Sequence, residues 1–185
     1  MLDQVLWFAT RGAGAVSLLM LTASAAFGLV TVTRFQAAGW PRLFNYEMHR
    51  RISLLSVTFL ATHIIAAMLD PYLKLGLTAL LPFASSWKPV PMAFGVIALY
   101  LVIALIATSL LRKHLGQRAW KLVHWTSYLM WPMALVHTVT AGTDAVAPWM
   151  LVIEAVCLAI VAGAATWRWV DRGATMVLGS RALAR

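Results

Sequence analysis

Four of the five histidines in this 185-residue sequence fall into two matched intervals: His49 and His63 are fourteen residues apart, and His124 and His137 thirteen. Both intervals lie in or beside apolar runs, where an ionisable side chain is costly and ordinarily faces the interior of a helix bundle. Imidazole offers two kinds of chemistry there: a neutral ring nitrogen can ligate a metal, or the ring can pass protons. Fourteen residues at about 100° each end ~40° short of four turns, so His49 and His63 share a helix face. Thirteen end ~140° short, so His124 and His137 diverge on an ideal helix. Pro132 lies between them and removes a backbone hydrogen bond, which allows a kink that reorients His137. His114 lies in a basic stretch and reads as an ordinary surface histidine. Glu154 is the one acid within an apolar run; a hydrogen-bonded carboxyl and a proton relay both fit it. Arg11 precedes another such run and either snorkels to an interface or meets an anion. The lone Cys157 excludes an internal disulfide, a CxxC zinc site and a cysteine-ligated iron–sulfur cluster. No Ser-His-Asp set, HExxH or carboxylate pair points to hydrolysis.

The composition says what must carry these residues. With 62% hydrophobic and 11% charged residues and a mean hydropathy of +0.80, the chain cannot hide its apolar side chains in one water-facing core. The net charge of +9 does not point to nucleic acid, because the basic residues cluster between long apolar runs. Five segments are long and apolar enough to cross a hydrocarbon core of about 30 Å: Gly12–Val32, Ile52–Leu69, Pro91–Leu111, Leu122–Ala141 and Trp149–Trp167. They are expected to be helical, since unpaired backbone amides are too costly in lipid. Ala23-Ser24-Ala25 loosely mimics a signal cleavage site, but the run stays apolar to Val32, so the first span is expected to be retained. The expected architecture is an all-α membrane bundle of five helices in one domain covering 1–185.

Positive charges orient it. Twelve of the fifteen basic residues lie on one side (Arg34, Arg42, Arg50, Arg51; Arg112, Lys113, Arg118, Lys121; Arg168, Arg172, Arg181, Arg185), leaving Arg11, Lys74 and Lys88 for the other. The N-terminus is therefore expected outside and the C-terminus in the cytoplasm. Trp7, Trp87 and Trp149 would mark the outer interface, and Trp40, Trp120, Trp167 and Trp169 the inner one. The Leu73–Phe83 stretch of the Asp70–Val90 connection reads as an interfacial or re-entrant cap over the outer end. His49 and His124 then share the inner level, and His63 and His137 the outer, about 20 Å away at 1.5 Å per residue. Two histidines per level, from different helices, suit two porphyrins, one near each membrane face.

With H-x13-H on one helix and H-x12-H two helices later, the chain resembles the ferric reductase-like transmembrane domain, the haem-bearing core of NADPH oxidases, ferric-chelate reductases and the haem subunit of the methionine sulfoxide reductase system. The contexts are similar too: Arg51-Ile52-Ser53-Leu54 after the first histidine, Trp120-Lys121-Leu122-Val123-His124 at the third, Val136-His137-Thr138 at the fourth. The resemblance implies two stacked b-type haems with bis-histidine ligation, His49 with His124 inside and His63 with His137 outside. It also implies that Arg11 lies beside the outer haem. Arg50, Arg51 and Lys121 flank the inner histidines and suit either inner propionates or the positive-inside pattern. Many relatives have six helices and this chain five. The oxidases continue into flavin and nicotinamide domains, for which no site is expected here: Gly12-Ala13-Gly14, the only Gly-x-Gly, lies in an apolar run with no preceding strand. Where the oxidases place an aromatic residue between the haems, this chain has Met130, with Trp131 adjacent.

The expected function is transmembrane electron transfer in a bacterial inner membrane. The donor would be a separate flavoprotein reductase or quinol. The acceptor would be a ferric chelate, oxygen or a periplasmic redox protein. Two other readings stand beside it: a small ion or proton transporter with the histidines and Glu154 along a polar path, and a haem subunit of a larger redox complex.

Overall fold

A computed structural model of the chain describes the backbone of residues 1–32 and 43–183, with side chains through Thr31 and from Leu43 to Val170. Arg34, Trp40, Arg42 and Arg185 lie outside the described residues, and the side chains of Arg172 and Arg181 are not described. Six α-helices and one 3₁₀ turn follow in order: α1 (Leu2–Val32), α2 (Phe44–Leu69), the turn Gly76–Leu80, α3 (Pro89–Leu110), α4 (Arg112–His124), α5 (Ser127–Ala141) and α6 (Pro148–Leu183). No strand occurs among the described residues. Among the described residues, four helices are long and apolar enough to cross a membrane: Leu2–Thr31, Phe44–Leu69, Pro89–Leu110 and Pro148–Val170. With the family match reported below, they make this an integral membrane protein.

The helices differ from the hydropathy spans where charge or a turn intervenes. α1 begins at Leu2 rather than Gly12, because Arg11 is absorbed into the helix: it pairs with Asp144 at 2.8 Å and lies 3.3 Å from the centre of the Trp7 ring. α6 continues past Trp167 into a basic stretch that hydropathy does not register. The largest difference concerns Leu122–Ala141. α5 has only 15 residues, about 22 Å of rise, too short to span alone. It is joined to α4 through Trp125 and Thr126, where Thr126 N–H bonds Val123 O, Tyr128 N–H bonds Trp125 O and Leu129 N–H bonds Thr126 O. This i→i+3 pattern turns the chain ~20° further per residue than an α-helix does. Over three or four residues it takes up roughly half of the ~140° divergence between His124 and His137. Pro132 lies within α5, downstream of this tightening. In α4, Gly116 adopts φ 77°, ψ 163°, a backbone only glycine takes readily, and turns the chain back toward the bundle.

α1 runs antiparallel to α2, and α3 antiparallel to α5. Three apolar clusters bind them. Ala15 and Leu18 of α1 pack on Trp131 of α5 and on Met150 and Cys157 of α6. Ala98 and Val102 of α3 pack on Met130. Leu75 and Ala79 of the connecting loop close over Ala67. That loop is tied to the C-terminal end of α5: Trp87 Nε1 donates to Ala141 O at 3.3 Å and Lys88 Nζ to Thr140 O at 3.0 Å, satisfying carbonyls a helix end leaves free. The bundle thus has a loop end, carrying this connection, and a basic end, carrying Arg50, Arg51 and Arg112–Lys121.

Candidate haem sites

α2 carries His49 toward the basic end and His63 toward the loop end; the α4–α5 segment carries His124 and His137 at the same two levels. The ring centroids of His49 and His124 are 6.1 Å apart, interplanar angle 76°, and those of His63 and His137 are 6.4 Å apart at 77°. Two imidazoles facing one metal at about 2.0–2.1 Å each, with ring centres ~1.2 Å behind the ligating nitrogen, would have centroids about 6.4 Å apart. Both pairs match that separation.

Three rings are seated in the same way. His63 donates Nδ1–H to Thr10 O at 2.7 Å, and a Cβ on Gly14 would lie 2.8 Å from the same nitrogen. His49 donates Nδ1–H to Ser24 O at 2.8 Å, and a Cβ on Gly28 would lie 3.3 Å from its ring. His137 donates to Pro91 O at 3.0 Å, and a Cβ on Gly95 would come within 2.6 Å. Each seat is a carbonyl with a glycine four residues on, so the imidazole packs into space that a Cβ would take. A carbonyl only accepts, so Nδ1 carries the proton and the neutral ring keeps its lone pair on Nε2, the tautomer a metal requires. Around His49 the bonding closes on itself: Ser53 Oγ donates to His49 O at 2.6 Å and lies 2.6 Å from Ser24 Oγ.

No group of three or more His, Cys, Asp or Glu side chains converges among the described residues. Each pair therefore lacks the further protein ligands of a closed structural site and suits a metal whose remaining ligands arrive with a prosthetic group. A cavity of about 220 Å³ opens beside His63 and His137, lined by Gly14 and Gly95 and reaching from Trp87 down to Leu21, Val102 and Met130. Packed interiors do not ordinarily leave such a space; an engineered cavity of about 150 Å³ already binds benzene. The residues around His63 and His137 fit haem by cavity and imidazole separation, and His49 and His124 by imidazole separation.

The sequence matches the family model described as ferric reductase like transmembrane component over residues 12–136, about two thirds of the chain. The chain belongs to that family. The family is generally associated with haem. The match contains His49, His63 and His124 and stops one residue before His137. No curated protein and no solved structure matches the chain.

Arg11 stands at the mouth of the cavity, held by Asp144, Thr143 and the Trp7 ring. At the basic end, Arg51 pairs with Glu47 at 3.5 Å on an exposed helix face, Arg50 is exposed, and Lys121 Nζ lies 5.8 Å from the Trp125 ring. Met130 is buried and lines the cavity, whereas Trp131 turns to α1, its Nε1 donating to Thr22 Oγ1 at 2.9 Å. Glu154 is buried outside the cavity lining, and its Oε1 has no hydrogen-bond partner among the described residues. Sequence reasoning missed the three seats. The two on α1 show in the sequence as the Thr10/Ser24 and Gly14/Gly28 intervals, both fourteen, the same as His49/His63.

Proposed function

We propose that this protein is a transmembrane electron conduit that holds two b-type haems, His49 with His124 and His63 with His137, and passes electrons from the basic end to the loop end. The observation that carries the reading is the seating: paired imidazoles at 6.1 and 6.4 Å, three of them fixed through Nδ1 to backbone. Haem supplies the one-electron chemistry when bound; the protein fixes ligands, spacing and dielectric. Family membership supports transmembrane redox or electron transfer. The positive-inside rule makes the basic end cytoplasmic, so the donor is a cytoplasmic flavoprotein or membrane quinol. Two imidazoles per iron leave no open position, so the acceptor, a ferric chelate, oxygen or a redox protein, is reduced by outer-sphere transfer near Arg11. A polar transport path is less well supported, because it does not call for two imidazole pairs with centroids 6.1 and 6.4 Å apart.

The test is haem content of detergent-purified protein by pyridine haemochrome assay, with a reduced-minus-oxidised spectrum. Two low-spin b haems per chain are expected, falling to one in His63→Ala or His137→Ala with loss of transfer across the membrane. Protein purified colourless after growth with ample haem would refute the conduit, and an alanine variant retaining both haems would refute the ligand assignment.

A further inference from the structure

Among the four histidines, His124 is seated differently. Its Nδ1 is buried with no hydrogen-bond partner among the described residues. α3 is antiparallel to α5, so stepping thirteen or fourteen residues along it from the His137 seat leads to the place where a fourth seat would be. Pro91 then maps to Ala104 or Leu105, and Gly95 to Thr108 or Ser109. Both carbonyls are already engaged: Thr108 Oγ1 lies 2.7 Å from Ala104 O and 3.3 Å from Leu105 O. No glycine stands there. Instead, Ser109 Oγ accepts Trp120 Nε1–H at 3.3 Å, and the Trp120 indole lies on the His124 ring, centroids 4.7 Å apart and planes 25° from parallel. The Arg112 guanidinium sits 4.2 Å from the indole centre, steadied by Gln117 Oε1 at 2.8 and 3.2 Å.

We infer that Thr108 closes the fourth seat and that Trp120, footed on Ser109 and covered by Arg112, positions His124 in its place, making the basic-end haem the more readily reduced of the two. The inference rests on the haem reading above. An Nδ1–H bonded to a carbonyl makes imidazole a stronger donor to iron and favours the oxidised state. His63, His137 and His49 have that bond and His124 does not. The Arg112 charge acts in the same direction, since added positive charge nearby favours the electron-rich state, an effect weakened by salt at this exposed position. Trp120 and Thr108 are thus positioning residues, acting through His124.

The experiment is a potentiometric titration of the full chain in detergent, after haem content has been measured. Wild type should show two waves. His49→Ala should remove the more positive wave and His63→Ala the other. Thr108→Gly removes both the hydroxyl that engages the Ala104 and Leu105 carbonyls and the Cβ that stands where the other seats have glycine, and should move the more positive wave negative, by up to about tenfold in the reduced-to-oxidised ratio, ~59 mV for one electron. Arg112→Gln removes the charge over the Trp120 indole and should move the same wave the same way, less so in high salt. Two haems with unmoved waves in both variants, or movement of the wave that His63→Ala removes, would overturn this inference alone. A colourless wild type would overturn the reading beneath it.

Discussion

Replacing Gly95 by alanine places one methyl group in the seat of His137. The added carbon would lie 2.6, 2.7 and 2.8 Å from three ring atoms, whereas ordinary contact begins at 3.4 Å, so the ring must withdraw by about 0.6–0.8 Å. Ligand constellations tolerate displacements of only about 0.5 Å. The movement also strains the 3.0 Å bond to Pro91 O, worth about 0.5–1.5 kcal/mol. Overpacking of this kind costs about 1–3 kcal/mol, and the alanine returns up to ~1 kcal/mol of helix propensity. The fold should survive while His137, the proposed loop-end ligand, is displaced. Pyridine haemochrome assay should therefore find haem falling from two toward one per chain, with a thermal midpoint lowered by only a few degrees. Gly163→Ala is the control, since nothing lies within 4 Å of its added carbon; haem content and stability should stay at or slightly above wild type. Gly95→Ala protein with two haems and an unaltered spectrum would show that the glycine seat does not matter.

Two further outcomes are expected. The Trp131–Thr22 bond joins α5 to α1 at 2.9 Å in the buried middle of the bundle; a double-mutant cycle with Trp131→Phe and Thr22→Val should return a coupling of about 0.6 kcal/mol, at most ~1.7, with haem content unchanged. A coupling of zero would mean the bond is replaced when broken. Asp144→Asn removes the partner of Arg11 at the cavity mouth, so reduction of anionic ferric chelates should accelerate relative to cationic acceptors. The difference should fade as ionic strength rises past about 0.15 M; equal rates would place the acceptor elsewhere.

The sequence made some levels of this structure plain and hid others. The apolar runs mark the helices because lipid tolerates little else. The histidines stand out because ionisable groups in such runs are costly. Depth alone puts the four histidines at two levels, and the resemblance implies which two share a haem. The seats were hidden because a glycine shows its purpose only against the ring that needs the space; Gly14 looked like part of an idle Gly-Ala-Gly, and Ser24 like part of a cleavage site. Arg11 hid the first three turns of α1, because its partner Asp144 lies far along the chain. The tightened turn at Trp125–Thr126 carries no glycine or proline, and Pro132 drew attention away from it.

The seats on α1 repeat every fourteen residues, and the histidines of α2 repeat at the same interval. Two elements matched in this way behave as a pair of rulers laid head to tail. One residue inserted between Gly14 and Ser24 would move one seat by about 1.5 Å and swing it through about 100°, leaving a histidine facing solid helix. The same slip in α2 would do equal harm. Seven residues turn to within ~20° of two full turns, so only changes near that size, made in both helices together, keep both rings seated. Substitutions can therefore accumulate on the outward faces of α1 and α2 while the length between the two sites stays fixed. Lengthening or shortening the gap between the sites would require coordinated insertion or deletion in separate parts of the gene.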